Sequence, residues 1–314
     1  MRGSEETGNR RNQEVSCVRG GLALYKPRGI SSFDVIRRLR PILLTKTKLG
    51  HAGTLDPAAE GLILILVGEA SRVQHLLKDL DKEYEAVVRL GVRTDTLDAE
   101  GKTLEEVEVP PLDEQTIRNA LDRLKGERMQ RPPRYSAVKI KGRRPYEMAR
   151  AGEEFELPER RVSIYEIALL SWQNPLLEIR TRVSSGTYIR SLAREIGDEL
   201  GLPASLAALC RTRIGGFELK DALPLDNITI EGIKKAMIPI EKLLSHLPQA
   251  EVSEENASRL LQGKPLSQGV NPKLLDAPSS VVFSTDHRQA FLCEPRDGKL
   301  WSRRLIYNNG ESVG

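Results

Sequence analysis

Two periods divide the chain. Lys82–Leu90 places Tyr84, Ala86, Val88 and Leu90 on one side, the alternation of a strand with one buried face. Leu177, Ile179, Thr181 and Val183 repeat that alternation, and Val162–Leu170 predicts the strand that pairs with them. Leu62–Val67 is apolar at every position and bounded by glycines, which predicts a strand covered on both faces. A shorter strand, Leu22–Tyr25, ends at Lys26-Pro27. Helical spacing marks Ile117, Ala120, Leu121 and Leu124, capped by Asp113 and closed by Gly126. It marks Ile189, Leu192, Ala193, Ile196 and Leu200 in the same way, with Gly201 as the stop. Ser31 and Asp34 open another helix with a capping-box pattern, and Pro41 interrupts it.

Strands outnumber helices, so the expected fold is α+β: a mixed, mainly antiparallel sheet with flanking helices. Residues 1–19 are polar and aperiodic and are expected to form a disordered extension; residues 20–250 make the main domain. Within 251–314 a helical piece, Glu254–Leu261, precedes strand-like stretches at Ser280–Ser284, Ala290–Cys293 and Lys299–Tyr307. That texture predicts a small β-rich C-terminal domain.

Composition changes this picture little. Hydrophobic residues make up 39% and charged residues 29% of the 314, as in ordinary soluble proteins. No apolar run reaches the roughly 18 residues that span a bilayer, and the N-terminus lacks a secretory pattern, so a cytoplasmic location is expected. The cysteines (Cys17, Cys210, Cys293) are too scattered to suggest a zinc site or a disulfide framework. A net charge of +4 excludes a polycation, so any nucleic-acid contact must come from local clusters. Arg37, Arg38 and Arg40 with Lys46 and Lys48 form one cluster. Arg131, Arg134, Lys139, Lys141, Arg143 and Arg144 form the other. Either could hold phosphates, although a run of charge is more often a solvated face.

The candidate chemistry lies in Lys48-Leu-Gly-His-Ala-Gly-Thr-Leu-Asp-Pro57. Gly50 and Gly53 permit a tightly shaped loop, and Pro57 biases Asp56 toward an extended conformation that projects its carboxylate. Asp-Pro also initiates ordinary turns, and His51 could equally be a satisfied structural histidine.

The run Gly50-His51-Ala52-Gly53-Thr54-Leu55-Asp56-Pro57, followed by Gly61, resembles the signature loop of the TruB family of pseudouridine synthases. Tyr25-Lys26-Pro27-Arg28-Gly29-Ile30-Ser31-Ser32 is similar to that family's N-terminal motif. Lys82-Glu83-Tyr84 with Thr94-Asp95-Thr96-Leu97-Asp98, Gln130–Lys139, and Gly186-Thr187-Tyr188-Ile189-Arg190-Ser191-Leu192 resemble the later ones, in family order. Departures are Tyr25, Ala52 and Cys210, none of them at the reacting groups.

The resemblance implies conversion of the T-loop uridine at position 55 of tRNA to pseudouridine. Asp56 would be the catalytic carboxylate, Arg190 the cation that pairs with it and aims it, and Tyr84 the ring that stacks on the target base. A bare sequence reading leaves Arg190 as a tolerated arginine opposing its helix dipole, and Tyr84 as a core tyrosine. His51, Gly53, Thr54, Leu55, Tyr188, Lys26 and Pro27 are expected to shape the substrate site, and the basic clusters to hold RNA phosphates. Isomerisation has no redox change, so no cofactor and no metal are expected. Expected partners are the tRNA T-arm alone, with a monomeric protein, no membrane and no obligatory protein partner. The C-terminal stretch resembles the PUA type of RNA-binding domain.

Overall fold

A computed structural model of the protein describes residues 19–43, 47–133, 157–267 and 270–309. The expected disordered extension thus falls, except for Arg19, outside the described residues. In chain order the first elements are β1 (Gly20–Lys26), α1 (Ser32–Leu39), β2 (Leu49–His51), β3 (Glu60–Val67) and α2 (Gln74–Lys78). Next come β4 (Lys82–Leu90), the β5 and β6 hairpin (Val92–Thr94, Thr103–Glu106), α3 (Glu114–Arg123), β7 (Gly126–Gln130), β8 (Arg160–Gln173) and β9 (Leu176–Val183). Then follow α4 (Ile189–Leu200), β10 (Ala204–Ile214), the two-residue strands β11 (Phe217–Glu218) and β12 (Leu223–Pro224), and α5 (Ile230–Ala236) and α6 (Ile240–Leu243). The last are β13 (Gln249–Val252), α7 (Glu254–Leu261), α8 (Pro272–Asp276), β14 (Ser280–Ser284), β15 (Gln289–Arg296) and β16 (Lys299–Asn308).

The main sheet runs β12-β1-β3-β10-β4-β9-β8-β7, with β2 on the flank of β3 and β11 on β10. Most neighbours are antiparallel, as the alternating sequence requires. At one seam the pairing is parallel and short: β3 meets β10 through Cys210 opposite Glu60 and Arg211 opposite Gly61. Gly61 has φ of 108°, and a β-carbon there would lie 2.4 Å from the Arg211 carbonyl oxygen. No larger residue fits the seam.

The unbroken apolar run of β3 now has its reason. Ile63, Ile65 and Val67 pack with Leu22, Leu24 and the α1 residues Val35, Ile36 and Leu39. Leu62, Leu64 and Leu66 pack on the other face with Val73, Leu77, Ile240 and Leu243. β4 has one buried face, and Tyr84, Ala86, Val88 and Leu90 join Ile117 and Leu121 of α3 and Ile189, Leu192 and Ile196 of α4. The capping box at α1 is complete: Asp34 N donates to Ser31 Oγ at 3.1 Å, and Ser31 N donates to Asp34 Oδ2 at 2.8 Å. α4 ends at Gly201, in the left-handed conformation with φ of 70°.

The C-terminal strands form a separate four-stranded sheet, β13-β14-β15-β16, in which β13 and β14 run parallel. Val281, Phe283, Leu292, Ile306 and Tyr307 from this sheet complete the apolar cluster beneath β3. The C-terminal sheet is therefore anchored on the same core that underlies β3.

Candidate active site

The segment Gly53–Ala59 leads into β3 beside the seam, and nearly every carbonyl along it has a named donor. Arg211, fully buried in the middle of the sheet, donates from Nη2 to Gly53 O at 3.3 Å, from Nη1 to Thr54 O at 3.3 Å, and from Nε to Leu62 O at 2.7 Å. Ser32, at the start of α1, donates to Leu55 O at 3.0 Å and accepts from Leu55 N at 2.8 Å. Asp56 O accepts from Ala59 N at 3.1 Å, and Pro57 O accepts from Gly29 N at 2.8 Å. Lys26 Nζ donates to Ile30 O at 2.8 Å, Pro27 O at 2.9 Å and Ala59 O at 2.6 Å. A backbone held at so many points has one conformation, and it projects the Asp56 side chain, half-exposed, into a cavity.

That cavity has a volume of about 460 Å³, enough for a nucleoside. Gly53, Thr54, Leu55 and Asp56 form one side, and Lys82 and Tyr84 of β4 another. Ser184–Arg190, the turn into α4, closes it together with Arg160, and Arg211 lies at its edge. Tyr84 belongs at once to the core and to the cavity lining, 8% exposed, so the core and stacking readings of this tyrosine are compatible.

Arg190 Nη2 lies 3.0 Å from Asp56 Oδ2. Its Nη1 lies 3.4 Å from Asp98 Oδ2 and donates to Thr96 O at 3.1 Å. Asp98 and Thr96 come from the turn of the β5–β6 hairpin, which is fixed to β10 by Leu206 N donating to Leu97 O at 3.0 Å. The guanidinium thus bridges two carboxylates. This explains a cation in the first turn of α4, where the helix dipole disfavours it: local helix stability is sacrificed to an ion pair across the site.

Of the residues expected to shape the site, Gly53, Thr54, Leu55 and Tyr188 line the cavity with the three expected catalytic residues. Lys26, Pro27 and His51 are not in that lining. The Lys26 side chain is wholly buried and occupied by loop carbonyls, so it holds the loop and does not face the cavity. Burial pushes its ammonium down to about 8, against a partial opposing pull from the Asp56 carboxylate. His51 lies in β2, where its carbonyl accepts from Gln74 Nε2 at 2.7 Å. Its imidazole is pushed down by burial and then by the nearby Lys78. Of the basic clusters, Lys48 is exposed away from the cavity lining, and Arg131 pairs with Glu159 at 3.6 Å. Lys46, Arg134, Lys139, Lys141, Arg143 and Arg144 lie outside the described residues.

Four contributors carry no role in the sequence reading. Asp98 was visible only as part of the Thr94–Asp98 motif, and Ser32 as the last residue of the first. Arg211 sits in Leu209-Cys-Arg-Thr-Arg-Ile214, where only Cys210 stands out. Lys82 is a fourth: burial, then the charge of Arg211, pushes its ammonium down to about 8. It donates to the carbonyls of Lys78 and Leu80, closing the end of α2. Among the described residues no cluster of His, Cys, Asp and Glu could hold a metal ion, and no helix is long and apolar enough to cross a membrane.

The site is thus a loop aspartate paired with a buried arginine at the wall of a nucleoside-sized cavity in a mixed sheet, the setting of an enzyme. Comparison with known proteins narrows the class. Residues 40–189 match the family model described as TruB family pseudouridylate synthase (N terminal domain). A "tRNA pseudouridine synthase B" from Clostridium tetani is 42% identical over 245 residues, covering 78% of this chain and 84% of that protein. One from Azoarcus sp. is 40% identical over 294 residues, covering 92% and 95%. Among solved structures, the chain resembles one in a Cbf5-Nop10-Gar1 complex with a TM-score of 0.70 and 24% identity, covering 95% of this chain and 88% of that one. That likeness extends through the C-terminal sheet and establishes a shared fold. The chain belongs to the TruB family of pseudouridine synthases. It is an isomerase, with a pseudouridine-synthase core and a PUA-like C-terminal sheet.

Proposed function

We propose that the protein converts the T-loop uridine at position 55 of tRNA to pseudouridine, with Asp56 as the reacting carboxylate. The observation that carries this reading is the Asp56–Arg190 pair, 3.0 Å apart, at the wall of the cavity. The bacterial relatives are named for the same substrate class.

A uridine in a folded loop reaches Asp56 only when extruded, at a cost of roughly a few kcal/mol that contacts in the cavity offset. Tyr84 offers the stacking surface, while Tyr188, Thr54 and Leu55 shape the remaining wall. With Asp56 acting covalently, the bond between C1′ and N1 breaks, the uracil turns within the cavity, and C1′ bonds to C5. The proton on C5 leaves to solvent and N1 gains one, so atoms and electrons balance without a second substrate. Arg190 holds Asp56 in place throughout, and Asp98 holds Arg190. The protein works in the cytoplasm as a monomer, with the tRNA T-arm as its partner and no cofactor.

The test uses an unmodified tRNA transcript tritiated at uracil C5. Wild type releases tritium from the intact T-loop, and neither a transcript lacking that uridine nor Asp56→Asn gives release. Tight binding by wild type without release would defeat the proposal. Release only in the presence of accessory proteins and a guide RNA would replace it with a guide-dependent activity.

A further inference from the structure

Uracil is neutral, so a nucleotide in the cavity carries its negative charge only on the phosphates at the cavity mouth. The cations of the cavity differ in how far their charge is already used. Arg190 is spent on Asp56 and Asp98, Arg211 on loop carbonyls, and Lys82 on the end of α2. Arg160 is different. Its guanidinium lies over the Tyr188 ring, 5.1 Å from the centroid, and its Nη1 is 3.5 Å from Gly186 O.

Among the described residues no carboxylate reaches Arg160, although its neighbours are paired. Arg161 meets Glu127 at 3.5 Å, Arg131 meets Glu159 at 3.6 Å, and Arg182 meets both Asp81 and Glu166. A cation stacked on an aromatic face keeps its full charge and loses little freedom on meeting a ligand. The planar fork of a guanidinium also matches a phosphate in two-point contact. Lys78, the other cavity cation with unspent charge, is exposed and has no such support.

We propose that Arg160, held over the Tyr188 ring, is a phosphate-binding residue that receives the RNA backbone beside the extruded nucleotide. This rests on the reading that the cavity takes a uridine of an RNA. Tyr188 then has two tasks, one as cavity wall and one as the platform that presents Arg160. The contact carries no sequence information; it adds affinity for the strand at the cavity mouth.

The experiment compares wild type, Arg160→Gln and Arg160→Lys on the tritiated transcript. Affinity is measured by filter binding from about 50 to 200 mM salt, and the saturating single-turnover rate is measured beside it. Arg160→Gln is expected to weaken binding about tenfold at the middle of that range. The slope of log K against log salt should become shallower by about 0.7 to 0.9, the loss of one phosphate contact. The saturating rate should stay within about twofold, and Arg160→Lys should restore the slope but only part of the affinity. An unchanged slope with a fallen saturating rate would overturn the proposal in favour of a packing role through Tyr188. Unchanged slope and affinity would overturn it outright. Wild-type tritium release is scored separately, so failure of the uridine reading cannot be confused with failure of the Arg160 contact.

Discussion

Replacing Ser32 with alanine removes one oxygen and adds nothing. Leu55, 3% exposed, then loses the hydroxyl that both accepts from its N–H at 2.8 Å and donates to its carbonyl at 3.0 Å. The gap left is smaller than a water molecule, so solvent cannot take over. A buried polar group without a partner costs about 1–3 kcal/mol, which puts the pair at about 2–6 kcal/mol if the loop stays in place. If the loop moves instead to reach water, Asp56 is the next residue and moves with it. A nucleophile displaced by about 1 Å loses roughly 100-fold in rate. One of the two losses must appear. Urea unfolding read by linear extrapolation measures the first, and single-turnover tritium release the second. An unfolding free energy within about 0.5 kcal/mol of wild type, together with a rate within about twofold, would refute the reasoning; both thresholds lie well below the calculated losses.

Two further outcomes are expected. Asp98→Asn removes the charge 3.4 Å from Arg190 Nη1, so the aim of Arg190 on Asp56 loosens; the saturating rate should fall about tenfold or more while RNA affinity in filter binding is unchanged, and an unaltered rate would show that Arg190 needs no second anchor. Lys26 is held at about 8 in the folded protein against about 10.4 unfolded; between those values the unfolded chain binds more protons, so stability rises with pH across the window, by about 3 kcal/mol for this group. Lys82, also held at about 8, adds a similar rise, which burial of Cys293, pushed up to about 12, opposes; the urea midpoint of Lys26→Met should therefore climb with pH less steeply than that of wild type, and equal slopes would contradict the assignment.

Local chemistry was legible wherever one segment decided its own fate. The alternation in β4 marked its ends, Leu62–Val67 announced a strand covered on both faces, and Ser31 with Asp34 capped α1 as their spacing implied. Asp56, Tyr84 and Arg190 stand in three separate motifs, and the structure brings all three to one cavity. What was not legible depended on distant segments meeting. Arg211 carries no role in the sequence reading, and becomes a fully buried cation of the site only because β10 comes alongside β3. Lys26 was assigned to the substrate for the opposite reason. Nothing in its neighbourhood shows that carbonyls from Pro57 and Ala59 will close around its ammonium.

The parallel seam between β3 and β10 also sets when the enzyme comes into being during synthesis. Asp56 is made early, yet the bond from Arg211 Nε to Leu62 O that helps fix its loop joins residues 149 positions apart. Arg190 comes almost as late. A nascent chain that has emerged through β9 already owns its carboxylate but has neither the cation that aims it nor the one that shapes its loop. With the roles proposed for Asp56 and Arg190, the unfinished polypeptide is inert toward RNA chemistry. On the proposed reading activity waits until β10 has left the ribosome and taken its place beside β3, so a late strand of the main fold serves as the timer of the first reactive residue.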